Sequence, residues 1–515
     1  MTNLELYLRL VAATGIVLAP GWALARAFGV RSVSATLAWS LTLVFVALLG
    51  TFALNTSFAV TLALLLVTLV AACGVLFART VEAESRVPGR WVAAGVGAGI
   101  GIMLWSVAGT VQGDGLFHLA RARKLLELDE LSLEAVGEFS DASLHPGYAF
   151  PLWHGFLALI ARVAGVDPEL VVLHLPSVLA VLAVVVAYEA GWALFRSTWA
   201  AGAAAAAQVT MVCFAPGSGG AYPVLSLPAT SSRQLLVPAA LALALTALRT
   251  HSAGTFASLA AAGFALVVVH PTYAIFLWIP FAGFLFMRAL WTRQDLRSGA
   301  ATLGMLAVPA ALFMLWLVPI AADTVSVSPA RAEVRRALDQ YAGQLNVRSE
   351  TSYSLASEVF TRSGPVAIAA LLLVPLAAFA AHRRWAAFVT GGSLAVLAFM
   401  LVPILFTALA DLVSISQARR AAGFLPFAFA FAGGMGVLSR VIWPWLPPIA
   451  LVAGAVLQFF YPGDFDYVLD DPGPSWVVWV AVVGCAAAVV VGFVWRERPP
   501  VEASAGRAAA LFLAP

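Results

Sequence analysis

The chain has 515 residues, of which 62% are hydrophobic and only 11% are charged, and its mean hydropathy is +0.94. Soluble domains cannot bury that much apolar surface, so the composition excludes a soluble globular protein and indicates a polytopic membrane protein. The formal net charge is only +3, and no basic run is present, which argues against a nucleic-acid partner.

Windows of bilayer length, about 20 residues, predict about fifteen transmembrane helices. They lie near residues 5–25, 34–54, 57–78, 91–110, 172–195, 198–214, 234–250, 254–270, 273–291, 299–320, 364–381, 385–409, 422–440, 443–460 and 476–495. The apolar run 150–165 contains His154 and is too short to span, so it predicts a re-entrant or interfacial helix. The expected fold is all-α, with interfacial helices in a long first external loop.

Arginine-bearing short loops fall on one side of this arrangement, as the positive-inside rule requires of the cytoplasmic side. The N-terminus is therefore expected outside and the C-terminus inside. The predicted segments are three N-terminal transmembrane helices (1–90), a core that includes the external loop 111–171 (91–320), a second external loop with a short surface helix (321–363), C-terminal transmembrane helices (364–495) and a cytoplasmic tail (496–515).

Asp114 follows the fourth predicted span, in the stretch Val111-Gln-Gly-Asp-Gly-Leu-Phe-His-Leu-Ala-Arg121. On a helix, His118 at i+4 and Arg121 at i+7 share a face with Asp114. The pattern predicts a base, an imidazole and a cation together at the bilayer surface. Asp114 is also placed to cap the helix that begins there, and both interpretations stay open. A second acidic residue, Glu189, lies inside a predicted span, which indicates either a function or contact with the interface.

Three pieces of the chain carry a family resemblance. They are Gly113-Asp-Gly-Leu-Phe-His118, His145-Pro-Gly-Tyr-Ala-Phe-Pro-Leu-Trp-His154 and Gly165-Val-Asp-Pro168. An acidic residue just after a transmembrane helix, followed by a proline-containing half-apolar segment and further spans, resembles the GT-C superfamily of polyprenyl-phosphate-sugar-dependent glycosyltransferases. The resemblance covers roughly residues 91–300. The chain departs from the family in having Asp114 alone instead of an acidic pair, and in three spans that precede the core.

The resemblance implies an inverting enzyme of the bacterial inner (plasma) membrane. Its donor would be a polyprenyl-phosphate-linked sugar, and its acceptor an external glycan, lipid or protein of the cell envelope. Catalysis would use Asp114 and His118, with Asp114 as general base or, together with His118, as a ligand of a divalent metal such as Mg or Mn. Membrane lipids are expected neighbours, and nucleic acid is not an expected partner.

A departing phosphate needs fixed cations, and arginine offers two parallel hydrogen bonds where lysine cannot. Three arginines at predicted external helix ends are candidates for the donor phosphate: Arg233, Arg419 and Arg420. Candidates for substrate contact are Arg121, His145, His154, His270 and Tyr273. The alternative is structural, because arginines at helix ends often extend to lipid head groups and histidines often lie in turns.

Two other functions stay open at this stage. A transporter or flippase of a lipid-linked saccharide would have charges near the middle of its spans, whereas here the charges collect at the external ends. That distribution favours chemistry at the surface. A non-catalytic assembly protein of similar architecture is the third alternative, which the lone Asp114 does not exclude.

Overall fold

The computed structural model describes residues 2–78, 87–133, 148–213, 221–292, 295–322, 331–362, 364–443, 445–460 and 473–494. These residues form helices and one small β-hairpin, so the predicted all-α architecture is confirmed apart from the hairpin. The predicted cytoplasmic tail, 496–515, and His145 lie outside the described residues.

The α-helices of the described residues differ widely in length. They are α1 (Asn3–Ala27), α2 (Val33–Ala53), α3 (Phe58–Ala78), α4 (Arg90–Val107), α5 (Asp114–Leu128), α6 (Leu152–Ala164), α7 (Pro168–Phe195), α8 (Thr198–Cys213), α9 (Pro228–Ser231), α10 (Val237–Thr250), α11 (Ala253–Val269), α12 (Pro271–Trp291), α13 (Leu296–Ala322), α14 (Arg331–Gln340), α15 (Pro365–Ala378), α16 (Arg384–Leu401), α17 (Pro403–Val413), α18 (Ile415–Ala418), α19 (Phe427–Val441), α20 (Leu446–Phe460) and α21 (Trp476–Val494). A π-helical turn, Ser232–Leu236, joins α9 to α10. The antiparallel hairpin consists of β1 (Leu345–Ser349) and β2 (Ser352–Leu355).

Eleven helices of the described residues are long and apolar enough to cross a membrane. This establishes a polytopic membrane protein. Each of the fifteen predicted spans lies on helical residues, but six of the helices that carry them are shorter than 18 residues: α8, α10, α11, α15, α19 and α20. Two of these, α10 and α19, reach spanning length only together with the helical turns that precede them, in Pro228–Thr250 and Ile415–Val441. The count of about fifteen crossings therefore stays a prediction. Large apolar side chains point outward along the spanning helices, as contact with lipid requires; Phe77 of α3 is 89% exposed.

Helix α6 has 13 residues, which gives a length of about 20 Å, well short of the roughly 30 Å hydrocarbon core. This agrees with the prediction that residues 150–165 do not span. The short surface helix expected in the second loop is α14. The hairpin that follows it was not predicted.

The chain divides into two compact units. Unit 1 comprises Met1–Ala193, Gly219–Ala274 and Gly304–Asp323, and unit 2 comprises Leu194–Ser218, Ile275–Leu303 and Thr324–Pro515. In unit 1 the N-terminal helix α1 packs against α2, α3 and α6. Helices α1 to α3 thus belong to the same compact unit as α5, the helix that begins at Asp114. The segment boundaries expected from the sequence stay a prediction.

Close helix packing positions the start of α5. A Cβ atom added at Gly97 would lie 2.7 Å from the Val181 Cα atom, and one at Gly101 would lie 2.3 Å from the Ser177 carbonyl oxygen. Glycines four residues apart let two helix backbones approach closely inside a membrane. Helix α4 is therefore held tightly against α7, and the segment leading from α4 to Asp114 starts from a fixed point.

Glu189 is a structural residue. Its carboxylate accepts hydrogen bonds from the backbone amides of Val33 and Ser34, both at 2.8 Å, and from the Ser34 hydroxyl at 2.6 Å. These amides are among the unpaired donors at the N-terminus of α2, where a negative charge also opposes the helix dipole favourably. Glu189 is 2% exposed, so it is a buried cap.

Contacts in unit 1 group its loops into two faces. On one face, the Leu131 amide donates to the Thr56 carbonyl at 2.8 Å. We call this face, formed by the loops that contain Thr56 and Leu131, the site face. On the other, Arg90 donates to the Arg31 carbonyl at 3.1 Å, near the Glu189 cap. This grouping is the alternation expected if α1 to α4 each cross the bilayer. Which face is external stays a prediction.

Candidate functional site

Asp114 is the first residue of α5 and is exposed. The residue that caps the helix is Gly113, whose positive φ of 54° suits glycine, and no side chain caps this N-terminus. In the described part of the chain the Asp114 carboxylate has neither a hydrogen bond nor an ion pair. The alternative that Asp114 merely caps α5 is therefore not supported.

The far end of α5 is anchored. The Asp129 carboxylate accepts from the Phe58 amide at 2.9 Å and pairs with Arg162 at 2.9 Å. It therefore caps α3 while it ties α5 to α6. Asp129 adopts the left-handed conformation, with φ of 45°, that commonly ends a helix.

A second anchor lies on the side of α5. Arg123 contacts Asp167 and Glu169, both at 2.8 Å, at the start of α7. Burial raises the pKa of the Asp167 carboxyl, but hydrogen bonds from Arg123 and from the Glu169 amide outweigh it and hold the pKa below its usual range. These exposed pairs add little stability individually. Together with Asp129 they fix the direction in which α5 presents Asp114.

His118 and His154 form a direct pair. The Nδ1 atom of His118 lies 2.8 Å from the Nε2 atom of His154, and the residues are 6% and 0% exposed. The two imidazoles are tilted by only 22°, while Tyr148 stands edge-on to both at 5.3 Å between ring centroids. Phe117 flanks them from another side, 5.2 Å from the His118 ring. The structure thus joins a predicted catalytic residue to a predicted substrate residue.

Arg121 is also buried, at 7% exposure, and its guanidinium lies 5.6 Å from the centroid of the Phe117 ring. On the helix face predicted to carry Asp114, His118 and Arg121, Asp114 is exposed to solvent, whereas the other two side chains are buried in the protein. Only Asp114 is placed to meet a substrate directly in this conformation.

The described side chains alone do not complete a site for the predicted divalent metal. Within them no group of three His, Cys, Asp or Glu residues could hold an ion. The facing nitrogens of His118 and His154 are already bonded to each other, and Mg and Mn prefer oxygen ligands. A metal at Asp114 and His118 stays a prediction, and no step proposed below uses one.

Arg233 lies in the π-helical turn between α9 and α10. Pro238 explains the turn, because it lacks the amide that would bond to the Gln234 carbonyl and its ring crowds that carbonyl. The Val237 amide instead donates to Ser232, five residues back. Such bulges are frequent at functional sites, since they redirect side chains from a helix.

Arg233 interacts electrostatically with Tyr273 of α12. The Tyr273 ring stacks on His270 at 4.0 Å between centroids, and the His270 Nδ1 atom lies 3.0 Å from the Thr272 hydroxyl. Three predicted site residues therefore meet in unit 1. Because Tyr273 and His270 are 3% and 7% exposed, these rings support Arg233 and do not offer an open face to a sugar.

Hydrogen bonds tie the residue before His154 to the loop that leads into the Arg233 turn. The Trp153 indole donates to the Ser226 carbonyl at 2.7 Å, and the Ser226 hydroxyl donates to the Val172 carbonyl at 2.7 Å. Pro176, one turn on, cannot supply the amide that Val172 would otherwise receive. Ser231 in turn donates to the Leu225 carbonyl. Sequence reasoning missed Trp153 and Ser226; the proline inside α7 was the available signal.

The other two predicted phosphate ligands belong to unit 2. Arg419 donates to the Gln344 side chain at 3.0 Å and lies 4.3 Å from the centroid of the Tyr341 ring, so it anchors the loop before β1. Arg420 is half-buried and makes no hydrogen bond or ion pair within the described ranges. Of the two, Arg420 is better placed to bind an anion. The expectation that these arginines share a cavity with Asp114 stays a prediction.

Comparison of the chain with protein-family models, curated proteins and solved structures finds no match in any of the three. The likeness to GT-C enzymes therefore rests on the residues that carry it.

Proposed function

We propose that the chain is a GT-C-type glycosyltransferase that moves a sugar from a polyprenyl-phosphate donor to an acceptor at the site face, with inversion at the anomeric carbon. The observation that carries the proposal is Asp114. It is an exposed, unpaired carboxylate at the first turn of an anchored helix, where the chain leaves the membrane. A base in that position meets the head group of a lipid donor and a water-borne acceptor at once.

The chemistry requires one base and one cation. Asp114 takes the proton of the acceptor hydroxyl as its oxygen bonds to the anomeric carbon. The bond from that carbon to the phosphate oxygen breaks, and the phosphate leaves with the electron pair. Arg233 is proposed to neutralise the phosphate, since its guanidinium can make two parallel hydrogen bonds to it.

The anchors of α5 support this role. A catalytic group contributes fully only when its position is fixed before the substrate arrives. Asp129 and Arg123 attach the helix to α3, α6 and α7. The Asp114 carboxylate, at the start of α5, is thus positioned by contacts that other residues of the helix make.

The cap made by Glu189 argues against the transporter alternative. An acid buried within a span is a common part of an ion or proton pathway. Here the Glu189 carboxylate accepts three hydrogen bonds from the start of α2, which is a structural use of the carboxylate.

The test compares Asp114→Asn with Glu127→Gln, a matched change at an exposed position of the same helix. Purified protein in proteoliposomes is given a panel of polyprenyl-phosphate sugars and an envelope extract, and release of polyprenyl phosphate is measured. Asp114→Asn should lower turnover by about 10²- to 10⁴-fold with little change in donor affinity. Glu127→Gln should behave as wild type. Full turnover in Asp114→Asn would remove the proposed base.

The proposed phosphate contact has its own test. Arg233→Ala and Arg233→Lys should both weaken donor binding if the contact is bidentate. The control is Arg249→Lys at the other end of the same helix, where Arg249 donates to the Ala193 carbonyl at 3.1 Å. Donor affinity that is unchanged in both Arg233 variants would assign the arginine to structure.

A further inference from the structure

We infer that unit 2 binds an anionic phospholipid of the surrounding membrane at a cluster of arginines. The cluster lies where three helices end or begin: the C-terminal end of α12 and the N-terminal ends of α13 and α16. We call it the arginine cluster; its members are Arg288, Asp295, Arg297, Arg383 and Arg384. The inference does not depend on the proposed sugar transfer.

Asp295 is the centre of the cluster. Its carboxylate accepts from Nε and Nη2 of Arg288 at 2.8 and 2.6 Å, and from Nε and Nη2 of Arg384 at 3.1 and 2.7 Å. Arg288 and Asp295 are buried, whereas the Arg384 side chain is 30% exposed. One carboxylate therefore balances only one of two guanidinium groups, and the surplus positive charge reaches the surface at Arg384.

The helices that carry these side chains are packed closely. A Cβ atom added at Gly283 of α12 would overlap the Gly391 carbonyl of α16, and one added at Gly391 would overlap the Gly283 carbonyl. Facing glycines let helix backbones approach closely inside a membrane. The close packing holds the two arginine-bearing helix ends in place before a ligand arrives, which lowers the entropic cost of binding.

Three of the arginines lie where a helix disfavours a cation. Arg297 is in the first turn of α13, Arg384 is the first residue of α16, and Arg383 precedes α16 without a side-chain cap. The N-terminal end of a helix has unpaired amides and the positive end of the dipole, so it favours anions. The concentration of positive charge at these two helix starts therefore indicates an anionic ligand.

Two guanidinium groups have donors to spare. Arg297 is exposed and makes no hydrogen bond or ion pair with the described part of the chain. Arg384 uses Nε and Nη2 for Asp295, and its Nη1 atom donates to no described residue. Asp295 is the only acid in residues 275–303 and 379–402. A phosphate group supplies the oxygen acceptors that these donors lack, and arginine can bind it with two parallel hydrogen bonds.

The surroundings favour a lipid over a soluble anion. Helix α13 begins at the cluster, and only 17% of its most apolar window is buried, so lipid is expected along most of its surface. The positive-inside pattern puts the cluster on the predicted cytoplasmic side. Basic pockets between spanning helices on that side attract anionic lipid head groups. One phospholipid can thus place its phosphate on the arginines and its acyl chains in the adjoining hydrocarbon.

Lipid binding by the full-length protein tests the inference. Delipidated protein in a neutral detergent is titrated with phosphatidylglycerol or phosphatidylcholine, and native mass spectrometry gives a dissociation constant for each lipid. Each arginine near the phosphate should contribute about fivefold, so three of them predict a preference for phosphatidylglycerol on the order of 10²-fold. Equal affinity of the wild-type protein for the two lipids would overturn the inference.

A pair of variants locates the site. Arg297→Gln should weaken phosphatidylglycerol binding about fivefold and leave phosphatidylcholine binding unchanged. The control is Arg440→Gln, because Arg440 is exposed on the same predicted side but lies in the last turn of α19, where the helix dipole favours a cation. Both variants should unfold at the wild-type temperature. Wild-type lipid affinity in Arg297→Gln, or an equal loss in Arg440→Gln, would remove the assignment to the cluster.

Competition distinguishes a lipid from a free phosphate. Glycerol phosphate, added at the concentration of the lipid, should leave phosphatidylglycerol bound, because it lacks the acyl chains that contact the apolar helices. Retention of the lipid, together with the expected preference, supports the inference. Displacement of the lipid by glycerol phosphate would assign the arginines to a small soluble anion and overturn it.

Discussion

The Glu189 cap gives a prediction whose size follows from the structure. In Glu189→Gln the side chain keeps one oxygen, but its new NH₂ group faces the donors of Val33 and Ser34. A hydrogen bond to a charged group contributes about 1.5–3 kcal/mol, and a negative charge at a helix N-terminus about 0.3–1 kcal/mol. Losing one such bond and the charge should therefore cost about 2–4 kcal/mol.

The assay is thermal unfolding in detergent, followed by the loss of monodisperse protein. For a body the size of unit 1, that cost corresponds to a Tm lower by roughly 4–7 °C. The control is Glu5→Gln, because Glu5 is exposed and only pairs with Arg9 on the surface, an interaction of about 0–1 kcal/mol. A Glu189→Gln protein that unfolds at the wild-type temperature would refute the cap and return Glu189 to the candidates for function.

Three further predictions concern topology, charge and packing. Lys124 is the only lysine and is exposed, so a membrane-impermeant amine reagent should label it in intact spheroplasts; labelling only after permeabilisation would reverse the orientation. Asp295 pairs with Arg288 and Arg384. Burial raises the pKa of the Asp295 carboxyl, but the two arginines outweigh burial and hold the pKa below its usual value. The ionised carboxylate therefore stabilises the fold above about pH 4. That contribution should disappear as pH falls through the folded-state pKa. Asp295→Asn should therefore cost about 3–5 kcal/mol at neutral pH, and the Tm of this variant should change less than that of wild type between pH 4 and pH 2. Ser226→Ala should cost about 1 kcal/mol and should be partly rescued by Pro176→Ala, which restores an amide for the same carbonyl; strict additivity would contradict that pairing.

Hydropathy alone predicts where most helices lie, because a bilayer imposes both length and composition on a spanning helix. The same argument identifies 150–165 as too short to cross. It cannot count the crossings, since helices such as α11 and α15 fall below full bilayer length. It also cannot predict the hairpin β1–β2, whose apolar alternation is too short to stand out beside the charged α14.

Candidate site residues were easier to identify than their contacts. Asp114 stands out because a charge next to an apolar span is expensive unless it has a use. The pairing of His118 with His154 joins residues 36 positions apart, and the Glu189 cap joins positions 155 apart. Helical periodicity describes one element at a time, so such contacts between elements require the packed structure.

The most direct test of the central claim is a structure of the protein in nanodiscs with a non-hydrolysable polyprenyl-phosphate-sugar analogue. The account predicts phosphate density at Arg233, with the anomeric carbon directed toward the Asp114 carboxylate. Phosphate bound on the opposite face, at the Arg90 side of unit 1, or a donor whose anomeric carbon lies beyond the reach of Asp114, would contradict it.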